Sequence, residues 1–152
     1  VTAISETIQS LAFSGAEPQK REATLLLVDD DITFLKMMQT LLGRKYHVVA
    51  VSSGKEAIEY LMMGHIADLI LLDYDMPVLT GPQVLEALRA EPKSANIPVI
   101  FLTGKNDRDS VMSVMALKPE GYILKSMSSE DILASVDRFF ETRKWENLYR
   151  HD

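Results

Sequence analysis

Short apolar runs and amphipathic stretches alternate along this chain of 152 residues. Five runs of four or five mostly apolar residues recur, without the regular alternation of a strand that exposes one face to water. Such runs are typical of parallel strands that helices cover on both faces. We therefore predict strands at residues 25–28, 48–51, 69–73, 99–103 and 121–125.

The residues between these runs follow helical spacing. Ile32, Leu35, Met38 and Leu42 recur every three or four residues, and Gly43 follows as a helix end. Similar patterns predict the other helices at residues 55–63, 83–90, 107–117 and from 129 onward. Because parallel strands are joined by right-handed crossovers, five successive strand–helix units predict an α/β fold with a five-stranded parallel sheet and helices on both faces.

Polar residues follow the predicted strands at the edge where they end. Asp29 and Asp30 follow the first strand, and Asp73, Thr103 and Lys125 end the third, fourth and fifth. Because the carboxyl ends of parallel strands meet at one edge, where open α/β sheets bind ligands, we expect these side chains to lie together. Three neighbouring carboxylates repel one another and require a cation, and oxygen ligands without His or Cys favour Mg²⁺. With the ammonium and the hydroxyl, the site would suit a phosphoryl group on Asp73.

Composition limits the classes of function that this site could serve. With 47% hydrophobic and 25% charged residues, the chain is typical of a globular protein with room for one domain and short extensions. The net charge of -6 and the absence of a Lys/Arg cluster argue against direct nucleic-acid binding. No apolar stretch is long enough to span a membrane, and there is no cysteine. We expect a cytoplasmic protein without membrane contact.

The N-terminal residues differ in composition from the rest of the chain. We assign residues 1–22 to an N-terminal extension and residues 23–142 to the folded domain. Ile4, Ile8 and Leu11 recur at helical spacing within the extension. This pattern indicates either a short amphipathic helix followed by a linker or a frayed tail.

The end of the last predicted helix breaks its own pattern. Residues 143–152 form a C-terminal extension in which Trp145, Leu148 and Tyr149 project away from the apolar stripe of the preceding turns. Either the helix stops near Arg143 and the tail folds back, or the helix continues. In the second case it would offer an aromatic patch to a partner or to the apolar residues of the N-terminal extension.

Four motifs follow one another along the chain: Val-Asp-Asp at 28–30, Leu-Leu-Asp-Tyr-Asp-Met-Pro at 71–77, Leu-Thr-Gly at 102–104 and Gly-Tyr-Ile-Leu-Lys at 121–125. Together they resemble the receiver domain of two-component response regulators, and the chain looks similar to chemotaxis regulators. The resemblance covers about residues 24–140. It implies a flavodoxin-like receiver fold with the strand order 2-1-3-4-5.

The resemblance implies a phosphorylation-dependent switch. Asp73 would accept phosphate from a histidine kinase or a phosphotransfer protein, and Lys125 would contact the phosphoryl oxygens. Thr103 would move toward the phosphoryl group and Tyr122 would rotate inward, which would remodel the surface of the fourth helix, fifth strand and fifth helix. A downstream protein target or a second copy of the chain would read this surface. The chain would be a switch that promotes its own phosphorylation and dephosphorylation, not an enzyme acting on a separate substrate.

The resemblance also implies a ligand set for Mg²⁺. Asp30 would bind the ion directly, Asp29 largely through water, and Asp75 through its backbone carbonyl, beside the phosphoacceptor Asp73. Asp75 and Lys105 occupy positions that border the phosphoryl group and would tune its hydrolysis.

Two other functions are compatible with these residues. One is a receiver-like docking module that is never phosphorylated. Ser126 leaves that alternative open, since it follows Lys125 where the family usually has a cis proline, and a cis bond without proline costs about 2.5 to 4 kcal/mol. The other is a phosphohydrolase with an aspartyl nucleophile, because Asp73 and Asp75 match an Asp-x-Asp pair. That class expects the pair after the first strand and a cap insertion, which this sequence lacks.

Overall fold

The computed structural model describes residues 22–104, 109 and 112–150, with side chains as far as residue 144. Its centre is one parallel five-stranded sheet with the order β2-β1-β3-β4-β5. The strands are β1 (Thr24–Val28), β2 (His47–Val51), β3 (Leu69–Asp73), β4 (Val99–Thr103) and β5 (Gly121–Leu124). The predicted α/β class, the five parallel strands and their order are confirmed.

Among the described residues, three complete helices lie between strands, and a fourth follows β5. They are α1 (Ile32–Leu42), α2 (Gly54–Met62), α3 (Gly81–Ala90) and the C-terminal helix (Ser129–Arg150). Side chains cap the starts of α1 and α2, where Asp31 accepts from the Phe34 N–H and Ser53 from the Glu56 N–H. At α3, Thr80 and Gln83 form a reciprocal capping box with Gly81 and Pro82 in the first turn, so this helix begins two residues before the predicted start.

The two faces of the sheet carry separate apolar cores. Leu25 and Leu27 of β1 pack on the side of α1 and the C-terminal helix, whereas Leu26 and Val28 pack on the side of α2 and α3. All four side chains are completely buried. Because successive strand residues point to opposite faces, a continuous apolar run is what a sheet covered on both faces requires. Ile32, predicted in the core stripe of α1, is instead 51% exposed, because it is the first residue of the helix and lies at the end of the sheet.

The end of the segment between β4 and β5 differs from the prediction. A helix was expected at 107–117; Asp109 and Met112 are helical, but the last residues of the segment form a 3-10 turn at Met115–Leu117. Lys118 follows with φ of 54°, in the left-handed region, and this conformation ends the turn before β5 begins. Residues 105–108, 110 and 111 lie outside the described part of the chain.

The C-terminal helix continues to Arg150 and does not stop near Arg143. Asp131 donates its N–H to Ser128 Oγ over 3.1 Å, which caps the start of the helix. Arg143 lies 2.7 Å from Glu120 Oε1 and links the helix to the residue before β5. Residues 1–21 and the side chains of Trp145, Leu148 and Tyr149 lie outside the described residues, so the predicted contact between them stays a prediction. No helix in the described part is long and apolar enough to cross a membrane.

Candidate functional site at the carboxyl edge of the sheet

Three carboxylates meet where β1 and β3 end. Oxygen atoms of Asp29, Asp30 and Asp73 all lie within 4.8 Å of one another. Asp29 is completely buried, Asp73 is 3% exposed, and Asp30 is exposed to solvent. The parallel pairing of β1 with β3 brings the two strand ends together, with Val28 opposite Leu72 in the register. Two carboxylates are therefore buried at the edge of the sheet, and the third is exposed to solvent.

The loop after β1 is shaped by its own aspartates. The Asp29 N–H donates to the Val51 carbonyl over 3.2 Å, which continues the ladder toward β2. Asp29 Oδ1 then accepts the N–H of Asp31 at 2.9 Å, and Asp31 caps α1. Of the three consecutive aspartates, Asp31 thus serves the helix start, while Asp29 and Asp30 are left for the site.

Lys125 supplies the positive charge of the site. Its Nζ lies 2.6 Å from Asp29 Oδ2 and 3.2 Å from Asp73 Oδ1. The residue directly follows β5, and its N–H donates to the Thr103 carbonyl over 2.8 Å. The described residues contain no cis peptide bond, so the bond from Lys125 to Ser126 is trans, and the ammonium still reaches both carboxylates.

One ammonium does not balance three carboxylates. The pKa of Asp73 is raised to about 7. Burial is the largest cause and repulsion from Asp29 the next, while attraction to Lys125 offsets only part of the increase. Burial lowers the pKa of Lys125, but the hydrogen bond and the charge of Asp29, together with Asp73, outweigh burial and raise it. The ammonium therefore stays charged, and the cluster keeps a deficit of positive charge.

The donor set fits a hard divalent cation. The three carboxylates contribute only oxygen atoms, and among the described residues they are the only group of three or more His, Cys, Asp or Glu that could hold a metal ion. Three negative charges and one ammonium leave a formal charge of two minus, which one Mg²⁺ would neutralise. Exposed Asp30 leaves the site open to water and to phosphate oxygens, which Mg²⁺ usually keeps among its ligands.

The other predicted site residues do not all lie at this edge of the sheet. Thr103 is the last residue of β4 and is 2% exposed at the same edge. Asp75 is exposed, two residues beyond the end of β3. Tyr122 is 38% exposed and pairs with Phe101 in the middle of β4, so it lies away from the carboxyl edge. Lys105 lies outside the described residues.

Two residues next to the site were missed by sequence reasoning. A Cβ on Gly81 would lie 2.4 Å from the Asp73 carbonyl oxygen, so only glycine lets α3 start against this strand end. The ring centroid of Phe34 lies 5.0 Å from Lys125 Nζ. The sequence pattern does not indicate that Gly81 approaches the end of β3 or that Phe34 faces a residue 91 positions away.

Comparison with known proteins gives the same assignment. A family model described as the response regulator receiver domain matches residues 25–137, within the predicted domain at 23–142. The two-component response regulator ORR1 of Oryza sativa subsp. japonica is 33% identical over 118 residues, which cover 71% of this chain and 51% of that protein. A probable cyclic di-GMP phosphodiesterase of Vibrio cholerae is 33% identical over 137 residues, which cover 80% of this chain and 31% of that protein. The chain thus spans about half or less of the length of these two relatives.

The fold is also found among solved structures. The chemotaxis protein CheY4 of Vibrio cholerae aligns with a TM-score of 0.72 at 27% identity, covering 77% of this chain and 98% of that one. Receiver domains are signalling switches of two-component systems that generally work with histidine kinases or phosphotransfer proteins and typically bind Mg²⁺ in an acidic pocket such as the one here. On the family match, the sequence identity and the fold, this chain belongs to the response regulator receiver domain family.

Proposed function

We propose that this chain is a switch whose Asp73 accepts a phosphoryl group from a histidine kinase or a phosphotransfer protein. The observation that carries the proposal is the placement of Asp73 between two further carboxylates and the ammonium of Lys125. A carboxylate that served only the fold would not be held beside two like charges, because each close pair raises the cost of ionisation. A bound cation would offset this cost of ionisation at a site that receives a phosphoryl group.

In the proposed reaction, an Asp73 carboxylate oxygen attacks phosphorus. The bond from phosphorus to the donor's imidazole nitrogen breaks, its electron pair stays on that nitrogen, and an acyl phosphate remains on the protein. Lys125 lies 3.2 Å from Asp73 and would contact the phosphoryl oxygens, while Thr103 would donate its hydroxyl to them. Positioning and charge neutralisation do most of the work in such a transfer.

The acidic cluster would hold Mg²⁺ during this reaction. Asp30 would bind the ion directly, Asp29 largely through water, Asp73 through its carboxylate and Asp75 through its backbone carbonyl. When bound, Mg²⁺ would supply positive charge to the carboxylates and the phosphoryl oxygens. Asp75, which is exposed two residues beyond Asp73, and Lys105 would set how long the phosphate survives. An unchanged phosphate lifetime in Lys105→Ala would remove that role of Lys105.

Phosphorylation would be read at the surface formed by the segment between β4 and β5, β5 itself and the C-terminal helix. Thr103 is buried at the end of β4, whereas Tyr122 stands exposed on the neighbouring strand. Movement of Thr103 toward the phosphoryl group would make room for Tyr122 to turn inward, shifting a population that already exists in the free protein. The reader of the changed surface would be a downstream protein or a second copy of the chain.

Incubation with Mg²⁺ and acetyl phosphate, followed by intact mass measurement, tests the proposal. The wild-type protein should gain the mass of one phosphoryl group, and Asp73→Asn should gain none. Glu86→Gln is the matched control, since it removes an exposed carboxylate from α3 that has no part in the proposed site, and this variant should still be phosphorylated. Absence of any mass gain in the wild type would favour the docking module, and continuous phosphate release without a stable adduct would favour the phosphohydrolase.

A further inference from the structure

The ammonium of Lys125 contacts an aromatic ring as well as two carboxylates. Its Nζ lies 2.6 Å from Asp29 Oδ2 and 3.2 Å from Asp73 Oδ1, and the centroid of the Phe34 ring lies 5.0 Å away. An ammonium within about 6 Å of a ring centroid is attracted by the negative face of the ring. The ammonium is therefore surrounded by two anions and an aromatic ring.

The backbone connects the ring to the acidic loop. The Phe34 N–H donates to Asp31 Oδ1 over 3.2 Å, and the Asp31 N–H donates to Asp29 Oδ1 over 2.9 Å. Phe34 lies in the first turn of α1 and packs, half-buried, against the core on that face of the sheet. The position of the ring is thus coupled to the carboxylate that makes the shortest contact with Lys125.

The long side chain of Lys125 needs a further contact, such as the one with the Phe34 ring, if its ammonium is to stay in one place. The four-carbon stem of Lys125 is flexible, and the side chain is 21% exposed. The backbone of Lys125 is fixed by its bond to the Thr103 carbonyl, but nothing in that bond orients the ammonium. A ring on the third side limits the directions in which the ammonium can leave the site.

We infer that Phe34 is a positioning residue, which keeps the ammonium of Lys125 at the phosphoryl site through a cation–π contact. The inference rests on the proposed function of Asp73, because it assigns Phe34 a part in the same reaction. The ring does not touch the phosphoryl group. It acts on Lys125 when the ammonium exchanges its contact with Asp73 for one with the phosphoryl oxygens.

Three variants separate this role from simple packing. Phe34→Leu keeps an apolar side chain and removes the ring, whereas Phe34→Tyr keeps the ring and should restore the wild-type behaviour. Phe139→Leu is the matched control, because Phe139 carries a second cation–ring contact of the described residues, with Arg143 at 5.1 Å, far along the C-terminal helix. Thermal unfolding of each variant establishes that it is folded under the conditions of the assay.

The first measurement does not depend on phosphorylation. Proton NMR of the ε-methylene group of Lys125 should show an upfield ring-current shift in the wild type, in Phe34→Tyr and in Phe139→Leu. The shift should be lost in Phe34→Leu. Absence of the shift in the wild type, or its persistence in Phe34→Leu, would overturn the contact itself.

The second measurement is the rate of phosphorylation by acetyl phosphate with saturating Mg²⁺, as a function of acetyl phosphate concentration. Phe34→Leu should lower the maximal rate roughly three- to tenfold, the range that a cation–π contact of ordinary strength supports, with little change in the half-saturating concentration. An unchanged maximal rate, or an equal loss in Phe139→Leu, would overturn the positioning role. A wild type that accepts no phosphate would overturn the proposed function, while the ring-current shift would still decide whether Phe34 positions Lys125.

Discussion

Replacing Asp73 with asparagine should stabilise the metal-free protein, and the gain should grow with pH. The pKa of Asp73 is raised from 3.8 to about 7, so between these values the folded protein holds a proton that the unfolded chain releases. Stability therefore falls as pH rises through this window, because the folded state binds more protons than the unfolded state. Asparagine resembles the protonated carboxyl and does not titrate, so the variant avoids this loss.

The size of the effect follows from the difference between the two pKa values. Each pH unit between them corresponds to about 1.4 kcal/mol, so a pKa raised from 3.8 to about 7 lowers the free energy of unfolding by about 4 kcal/mol above pH 7. At pH 5 less than half of this loss has developed. The advantage of Asp73→Asn over the wild type should thus increase by roughly 2 to 3 kcal/mol between pH 5 and pH 8.

Urea unfolding in the presence of EDTA measures this difference at each pH. Glu86→Gln, a change of the same kind on the exposed face of α3, is the control, because it removes a carboxylate that has no part in the site. Saturating Mg²⁺ should remove most of the advantage of the variant, because the cation favours the ionised carboxylate of the wild type. A difference between variant and wild type that is independent of pH in EDTA would refute the account of the charge deficit.

Two further substitutions test the construction of the site. Lys125→Met removes the ammonium beside the completely buried Asp29 and should lower the free energy of unfolding of the metal-free protein by about 3 kcal/mol at neutral pH. Mg²⁺ should restore part of this loss. Equal urea unfolding midpoints of the variant with and without Mg²⁺ would contradict this prediction. Gly81→Ala places a Cβ 2.4 Å from the Asp73 carbonyl oxygen and should cost about 1 to 3 kcal/mol and slow phosphorylation by acetyl phosphate. Gly104→Ala, whose Cβ would meet nothing within 4 Å, is its control, and the same loss there would exclude a local clash as the cause.

The sheet could be predicted because its signals are continuous and local. Leu25, Leu26, Leu27 and Val28 are completely buried, as an uninterrupted apolar run in a sheet covered on both faces requires. The meeting of Asp29, Asp30, Asp73 and Lys125 then follows from topology, because parallel strands end at one edge. Their predicted roles toward Mg²⁺ and phosphate stay proposals, since geometry alone does not report a reaction.

The sequence failed where the outcome depends on packing between distant segments. The helical pattern at 107–117 is compatible with a full helix, but the described residues close in a 3-10 turn. Arg89 from α3 donates to the carbonyls of Leu117 and Lys118 at the end of this turn, over 2.9 and 3.2 Å. No residue pattern within 107–117 indicates that Arg89 will donate hydrogen bonds to the end of this segment. The contact of Phe34 with Lys125 was missed for the same reason, because it joins α1 to the loop after β5.

The charge deficit and the apolar sheet depend on each other. Asp29 and Asp73 can be held near each other only because they extend strands whose preceding residues are completely buried and cannot move apart without opening the core. A looser loop would relieve the repulsion by turning one carboxylate into solvent, and it would then bind a cation less well, because its ligands would have to be gathered again. The rigid strand ends therefore keep the carboxylates in a less stable arrangement, and a bound cation can relieve it. On this reasoning the stability that Asp73 removes from the metal-free protein would be recovered when the site binds the cation that the proposed phosphorylation needs.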